Sequence, residues 1–166
     1  MSIPEGYHTR SFFVDSKEYI QRLGETFPIL FLGLIYYPGC GTDFISLEDT
    51  FSKNRIVYLD NDEFVFRGEN GKNRKVVIAD AEKPPFRKRV FDAVLMKNMH
   101  PSRKALTATL QTLRPGGLLI FSQRFSIWRE MVSFDTLRRD RRLRELPLPF
   151  ATEKLDYVAF QKITKT

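Results

Sequence analysis

The chain has 166 residues, 42% of them hydrophobic and 28% charged, which is the composition of a single globular domain. This composition excludes a disordered chain, a collagen and a coiled coil, and a single cysteine, Cys40, excludes an internal disulfide framework. The longest nearly uncharged apolar stretch, residues 27–37, is about half of the ~20 residues that a membrane-spanning helix needs. The N-terminus shows no secretory signal. We therefore expect a cytoplasmic protein with no membrane partner.

The positive charge is concentrated in two segments. Lys and Arg number 27 against 20 Asp and Glu, for a net charge of +7. Residues 83–89 hold four basic side chains and no acid, and residues 124–144 hold seven Arg against three acids. Such clusters can attract nucleic acid, although a solvated basic face is the simpler interpretation. On one helix, Arg138, Arg141 and Arg142 would share a side, while Arg139 and Arg144 would point elsewhere. A site that tracks phosphates needs most of these cations on one face, so the spread predicts at most weak, non-specific nucleic-acid binding.

The first half of the chain alternates helix-like segments with apolar runs. Apolar spacing predicts a helix over residues 16–27, ended by a proline. The continuous apolar run 29–37 predicts a strand buried on both faces. A glycine turn follows, and Thr42 or Asp43 can cap a helix that runs to about residue 52. The other predicted elements of this half are strands over 55–60 and 75–80 and a short helix over 62–69.

The second half continues the alternation. Its predicted elements are a strand over 91–96, a helix over 102–113, a Pro-Gly-Gly turn, a strand over 118–122, an amphipathic helix over 127–142 and two further strands over 143–146 and 157–163. Strands that alternate with helices predict an α/β fold, a mostly parallel sheet with helices on both faces. Ligands of such sheets bind beyond the carboxyl ends of the strands, where the strand order switches.

Residues suited to a nucleoside ligand follow four of the predicted strands. Gly39 and Gly41 let the backbone bend and approach a ligand closely. Asp60 lies 19 residues beyond Gly41, the spacing of an acid that accepts hydrogen bonds from ribose hydroxyls, with Asp62 as the second candidate. Either acid could instead cap a helix. Small or polar residues also follow the third and fourth strands: Asp80, Ala81, Lys97, Asn98 and His100.

Five segments, in this order, resemble the motifs of class I S-adenosylmethionine-dependent methyltransferases. They are a first glycine motif (38–42), a ribose-binding strand end (58–60), an adenine-contacting segment (80–86), a fourth strand (91–95) and a helix-to-strand turn (113–120). The resemblance implies a Rossmann-like, mostly parallel seven-stranded sheet with an antiparallel last strand. It implies S-adenosyl-L-methionine as cofactor and S-adenosyl-L-homocysteine as product. The implied cofactor-binding residues are Gly39, Cys40, Gly41, Asp43, Asp60, Asn61, Asp80, Ala81 and Lys97.

Two positions depart from the first glycine motif of that family. Tyr37 stands where the family usually has an acid, and Asp43 stands where it usually has a third glycine. Asp43 could anchor the ammonium group of the cofactor or cap the helix, or it could repel the carboxylate of the cofactor. The change Asp43→Gly would weaken cofactor binding in the first case and tighten it in the last.

The resemblance implies methyl transfer to an acceptor, which is a small molecule or another substrate. The sequence does not identify this acceptor. Proximity supplies most of the catalysis of such a displacement, so a general base is optional. Asn98 and His100 are the catalytic candidates, against simpler roles in a loop and at a helix entry, and no metal site is predicted. The alternative is a non-catalytic methyltransferase-like binding or scaffolding module. An NAD-type oxidoreductase is disfavoured, because Phe44 replaces the third glycine of its motif.

The predicted organisation is a single methyltransferase-like domain over residues 1–166. Residues 1–28 form an N-terminal helical segment or lid, 29–123 the cofactor-binding core, and 124–166 a basic helix and the C-terminal strands. Tyr7, Phe12 and Phe13 could form a lid over the cofactor or belong to the core. The sequence does not predict an oligomeric state.

Overall fold

A computed structural model describes residues 9–41, 45–67, 73–97, 99, 101–122, 132–149 and 157–164. The helices are α1 (Thr9–Thr26), α2 (Ile29–Leu32), α3 (Ile45–Glu48), α4 (Arg103–Thr112) and α5 (Phe134–Arg138). The strands are β1 (Ile35–Pro38), β2 (Ile56–Asp60), β3 (Lys75–Ile78), β4 (Phe91–Lys97), β5 (Leu113–Ser122), β6 (Leu143–Leu146) and β7 (Tyr157–Lys162). Short 3₁₀ turns, Lys53–Arg55 and Glu63–Phe66, flank β2.

The strands form one sheet in the order β3-β2-β1-β4-β5-β7-β6. The pairs formed among β1 to β5 are parallel, and β7 is antiparallel to both β5 and β6. The predicted Rossmann-like α/β fold, with a mostly parallel seven-stranded sheet and an antiparallel last strand, is confirmed. The chain order reverses at β1, which lies between β2 and β4, so a crevice opens at the carboxyl ends of these strands.

Side chains that alternate along the strands divide the core into two layers. On β4, Leu95 packs in the layer that contains Ile20 of α1, whereas Met96 packs in the layer that contains Leu106 of α4. Both faces of the sheet are therefore covered by helices, as the continuous apolar runs predict. Within the described ranges, no helix is long and apolar enough to cross a membrane.

The strand predicted over residues 29–37 is wrong in its first half. Residues Ile29–Leu32 form the helical turn α2, closed by the Gly33 N–H, which donates to the Ile29 carbonyl at 2.7 Å. Pairing with β2 begins only at Ile35. A short continuous apolar run cannot distinguish a strand from a helical turn. Here one side chain of the turn, Leu30, is buried while Leu32 is 68% exposed, which suits a turn on the surface of the core.

The helix predicted over residues 127–142 is confirmed only for Phe134–Arg138. Ser133 caps this helix by accepting a hydrogen bond from the Thr136 N–H at 3.2 Å. Beyond the helix, the Asp140 carboxylate accepts the Arg142 N–H at 2.9 Å, and this local bond competes with the helical pattern. Arg138, Arg141 and Arg142 therefore do not share one helix. Residues 123–131, which include Trp128 and Met131, lie outside the described residues.

Other predicted boundaries also change. Strand β5 begins at Leu113 rather than at residue 118, so the predicted Pro-Gly-Gly turn lies within β5, and the helix predicted over 62–69 is the 3₁₀ turn Glu63–Phe66. Helix α1 begins earlier than predicted, and α3 ends at Glu48 rather than near residue 52. Helix α4 ends at Thr112, because Leu113 already pairs with Phe91 in the sheet. Tyr7 and the side chains of Phe12 and Phe13, the candidates for a lid or for core positions, lie outside what the structure describes.

Candidate functional site

A cleft of about 330 Å³ lies at the carboxyl ends of β2 and β3, next to the glycine turn that ends β1. We call it the carboxyl-edge cleft. Its volume falls within the ~300–1,000 Å³ typical of small-molecule sites. Five of the predicted cofactor-binding residues line it: Gly39, Asp60, Asn61, Asp80 and Ala81. They follow three different strands in the sequence, and parallel pairing brings the ends of those strands to one edge of the sheet.

Asp60, at the end of β2, is held by backbone amides on both carboxylate oxygens. Its Oδ2 accepts the Gly41 N–H at 3.0 Å, and its Oδ1 accepts the Asp62 N–H at 3.0 Å. Each carboxylate oxygen can accept two hydrogen bonds, so each retains one acceptor position. The carboxylate is thus fixed in orientation and can still receive two hydroxyl groups, such as those of a ribose.

Asp62, the second ribose candidate, has a different role in the structure. Its Oδ1 accepts the Phe64 N–H at 2.9 Å, so it caps the 3₁₀ turn Glu63–Phe66. Asp62 is exposed and does not line the carboxyl-edge cleft. The geometry therefore favours Asp60 over Asp62 as the acid that meets a ligand.

The glycine turn places two residues in the left-handed region, Gly39 with φ 59° and Gly41 with φ 52°. This region is unfavourable for residues that carry a Cβ atom. Among the described residues, which leave out the neighbouring 42–44, an added Cβ at Gly41 would meet nothing within 4 Å. An added Cβ at Gly39 would lie 3.1 Å from the sulfur of Met99, which covers that part of the turn.

The end of β3 is tied to helix α4. The Asp80 carboxylate accepts the Glu82 N–H at 2.8 Å, and Glu82 Oε1 accepts the Ser102 hydroxyl at 2.5 Å. Ser102 Oγ also accepts the Ala105 N–H at 3.1 Å and so caps α4. Sequence reasoning did not single out Glu82, Met99 or Ser102 as lining residues, although Glu82 belongs to the segment 80–86 that the resemblance assigns to adenine. The helix-capping position of Ser102 was a readable signal, whereas Met99 carried none.

The charged residues described in the cleft lining are all acidic: Asp60, Asp80 and Glu82. A cleft with this lining favours a cationic or neutral ligand and opposes the pyrophosphate of a dinucleotide. This charge distribution agrees with the sequence argument against an NAD-type oxidoreductase. Among the described residues, no group of three or more His, Cys, Asp or Glu could hold a metal ion.

The remaining predicted site residues do not line the cleft or cannot be placed. Cys40 and Lys97 are each 3% exposed; Cys40 belongs to the core, and Lys97 ends β4 opposite Ser122. Asp43, together with Thr42, lies outside the described residues. So do Asn98 and His100, the catalytic candidates, and their roles stay predictions.

Tyr37, at the position where the resemblance leads us to expect an acid, is a core residue. It is 1% exposed, and its ring centroid lies 6.0 Å from that of Tyr58. The Tyr58 hydroxyl donates to Glu48 at 3.1 Å, and Glu48 forms an ion pair with Arg74 at 2.5 Å. Burial, and then the Glu48 charge, raise the pKa of Tyr58 far above its usual value. An aromatic and ionic network thus packs beneath the glycine turn.

The comparisons with known proteins show the same fold. Residues 37–121, just over half of the chain, match the family model described as a methyltransferase domain. The sequence matches no curated protein.

Three solved structures give the extent of the structural similarity. The N-methyltransferase NodS from Bradyrhizobium japonicum WM9 is 14% identical over 94% of this chain and 99% of that chain, with a TM-score of 0.67. An S-adenosylmethionine-dependent methyltransferase from Thermotoga maritima is 17% identical over 94% of each chain, with a TM-score of 0.63. Another from Mesorhizobium loti is 20% identical over 61% of this chain, with a TM-score of 0.50. The alignment spans about half of the Mesorhizobium loti protein, 51%.

Proposed function

We propose that this chain, which belongs to the methyltransferase domain family, binds S-adenosyl-L-methionine in the carboxyl-edge cleft and transfers a methyl group to an acceptor. The observation that carries this proposal is the meeting of Gly39, Asp60 and Asp80 around one cleft at the switch point of the sheet. The product would be S-adenosyl-L-homocysteine.

The residues of the cleft suit the parts of this cofactor. The two acceptor positions that remain on Asp60 match the two hydroxyls of a ribose. Asp80 and Ala81 lie beside them, where the resemblance leads us to expect adenine. The three acidic side chains of the lining favour a cofactor that carries a sulfonium cation. Gly41 lies next to the Asp60 carboxylate, since its N–H donates to Asp60 Oδ2 at 3.0 Å.

The cofactor supplies a methyl group that its sulfonium already activates. The chain's own residues then need to hold and orient the partners, which can supply several kcal/mol of the catalysis. Asp60 has the rigidity for this task, since backbone amides hold both of its carboxylate oxygens. Asn98 and His100 follow β4 and are the residues that we propose for contact with the acceptor.

A second function, a binding module without catalysis, is favoured by one observation. Tyr37 is buried against Tyr58, so the chain lacks at that position the acid that the resemblance leads us to expect. If Asp43 does not replace that acid, the methionine end of the cofactor would be poorly held. The cofactor would then bind through its nucleoside and would not be positioned for transfer.

Calorimetric titration and thermal unfolding test the binding proposal. We expect S-adenosyl-L-methionine to bind with one site per chain and to raise the melting temperature, because a ligand that binds only the native state stabilises it. NAD⁺ is the matched control, since it shares the adenosine but carries a pyrophosphate that the acidic lining opposes. Saturating cofactor that gives neither heat nor a rise in melting temperature would contradict the proposal.

A turnover assay separates the enzyme from the binding module. The protein is incubated with methyl-labelled cofactor and fractionated small-molecule and macromolecular extracts, and S-adenosyl-L-homocysteine release is measured. Release that depends on one fraction, and that is lost in Asp60→Ala, supports the enzyme. Tight cofactor binding with no release from any fraction supports the binding module.

A further inference from the structure

A second depression lies beside the carboxyl-edge cleft, on the solvent face of helix α4. We call it the basic groove; it has a volume of about 460 Å³. Its lining consists of Glu82, Lys83, Arg103, Lys104, Thr107, Ala108 and Gln111. Three of these residues are cationic and one is acidic. The acid, Glu82, is engaged with the Ser102 hydroxyl at 2.5 Å.

The segment 83–89 follows helix α4 along its length. It starts at Lys83, which shares the basic groove with Arg103 and Lys104 near the N-terminal end of the helix. It ends at Arg89, whose N–H donates to the Gln111 carbonyl at 2.9 Å near the C-terminal end. Since α4 has 10 residues, segment 83–89 and helix α4 run side by side for about 15 Å.

Six exposed cations belong to this surface: Lys83, Arg87, Lys88, Arg89, Arg103 and Lys104. Within the described residues, none of the six takes part in an ion pair. Acids in the described part of the chain therefore do not pair with these charges. Unpaired cations on one side of a protein with a pI of about 9.6 create a local positive potential.

The other basic segment, residues 124–144, differs because some of its arginines form ion pairs. The Arg138 guanidinium donates to Glu145 at 3.0 and 3.1 Å. Arg142 pairs with Asp140 at 2.6 Å, and Arg144 donates to Gln161. Among the described arginines of this segment, Arg138 and Arg142 are therefore balanced by acids, and the Arg144 guanidinium is engaged by a neutral amide.

We propose that the basic groove binds a nucleic acid through its phosphodiester backbone, without regard to sequence. A nucleic-acid strand carries one phosphate per ~3.4 Å, so about four or five phosphates span the length of α4. Such a series of phosphates suits the three cations that line the groove and the exposed cations that follow Lys83 in the chain. Thr107 and Gln111 add neutral donors that can bind phosphate oxygens. None of the described lining residues is aromatic, so these residues offer no surface on which bases could stack, and we place recognition at the phosphodiester backbone.

The basic groove and the carboxyl-edge cleft share one wall. Glu82 lines both, and Ser102, which it contacts, lines the cleft next to Arg103 in the chain. A bound strand would therefore pass beside the proposed cofactor site. The binding itself does not depend on methyl transfer, so it is measured without cofactor.

The test is fluorescence anisotropy with labelled mixed-sequence single strands, RNA and DNA, of ~20 nucleotides at ~50 and ~200 mM salt. The groove variant is Lys83→Gln/Arg103→Gln/Lys104→Gln. The matched control is Arg138→Gln/Arg141→Gln/Arg144→Gln, which removes the same number of charges. The charge-preserving swap Arg103→Lys/Lys104→Arg is the rescue, and melting temperatures verify folding.

We expect the groove variant to weaken binding about 10-fold or more at the lower salt and to reduce the slope of log K against log salt by about 2. The control should stay within ~2-fold of the wild type, and the swap should bind like the wild type. The same loss in groove variant and control would overturn the proposal, because net charge alone would then explain binding. No binding by the wild type at ~50 mM salt, or tighter binding of labelled polyglutamate than of either nucleic acid, would overturn it too. Should the triple variant prove unfolded, the single variant Lys83→Glu is judged by the same criteria.

Discussion

A partly buried aspartate lies at each end of the parallel strands, which we call the amino edge and the carboxyl edge of the sheet. The two carboxylates differ in whether a cation of the protein contacts them. At the amino edge, Asp92 of β4 accepts the Leu34 N–H at 2.8 Å and a hydrogen bond from the Arg114 guanidinium at 2.6 Å. At the carboxyl edge, Asp60 of β2 accepts two backbone N–H groups and faces no cation in the described lining of its cleft.

This difference separates a structural carboxylate from a carboxylate that is available to a ligand. The charge of Asp92 is balanced within the protein, and a groove of about 490 Å³ at that edge is lined by Arg114 and by residues 115–117 of β5. The charge of Asp60 is held in place but not neutralised. A site that keeps an unneutralised carboxylate on rigid backbone is suited to bind a polar or cationic ligand.

Alkaline pH should have the largest effect on stability, because it ionises tyrosines that belong to the core between the two edges. Burial raises the pKa of Tyr19, Tyr36 and Tyr58 far above their ordinary value of 10.0. In the unfolded chain these phenols ionise near pH 10, whereas in the folded protein they stay protonated. The contribution of these tyrosines to the free energy of unfolding is therefore fully present below pH 10. It is lost as the pH rises above 10, by up to ~1.4 kcal/mol per pH unit for each tyrosine. Urea unfolding between pH 8 and 11 measures this loss.

The variant Tyr36→Phe sharpens this prediction. Within the described part of the chain, the Tyr36 hydroxyl is buried and has no hydrogen-bond partner. Its removal should leave the protein at least as stable at pH 7, with a gain on the order of 1 kcal/mol, and should reduce the loss above pH 10. A variant that is destabilised at pH 7 would show that this hydroxyl has a partner after all.

Removing the amino-edge carboxylate should cost stability and leave the site intact. In Asp92→Ala the Leu34 N–H and the Arg114 guanidinium both lose an acceptor, at a cost of about 1–3 kcal/mol in the free energy of unfolding. The affinity for S-adenosyl-L-methionine should not change, since Asp92 lies at the opposite edge. Weakened cofactor binding at temperatures where the variant is folded would contradict the separation of the two edges.

Two glycines, one at each edge, allow the most closely matched comparison, and the effects that we expect from it are the smallest. Gly41 and Gly116 both have positive φ, at 52° and 76°, and an added Cβ at either position would meet nothing within 4 Å among the described residues. Gly41→Ala and Gly116→Ala should therefore each cost about 1 kcal/mol of stability through backbone strain. Cofactor affinity should fall only for Gly41→Ala, and calorimetry of both variants checks this. Equal affinities would show that the ligand does not approach the Gly41 backbone.

The fold was largely predictable because its signals are local and repeated. Each strand that was predicted correctly is a short apolar run bounded by turn residues, and α4 is marked by Ser102 as its cap. The predictions failed where local bonds decide between two structures. The apolar run at Ile29 became a helical turn because Gly33 bonds back to it, and the basic helix ended early because Asp140 binds the Arg142 N–H.

The candidate site was predictable to the extent that parallel strands bring their ends together. Gly39, Asp60 and Asp80 follow from strand ends and spacing, and the structure brings them around one cleft. Glu82 and Met99 enter the cleft through three-dimensional packing, which no spacing rule reveals. The unpaired state of the cations near α4 was likewise invisible in the sequence, because it depends on which acids lie close in space.

The most direct test of the central claim is a calorimetric titration of S-adenosyl-L-methionine into the wild type, Asp60→Ala and Asp62→Ala. Both aspartates accept a backbone N–H in neighbouring turns, but only Asp60 lines the carboxyl-edge cleft. We predict that Asp60→Ala weakens binding by about 1–3 kcal/mol, because charge-assisted hydrogen bonds to the ribose are lost. Asp62→Ala should bind as the wild type does. Equal affinities for Asp60→Ala and the wild type, or a larger loss in Asp62→Ala, would contradict this account of the site.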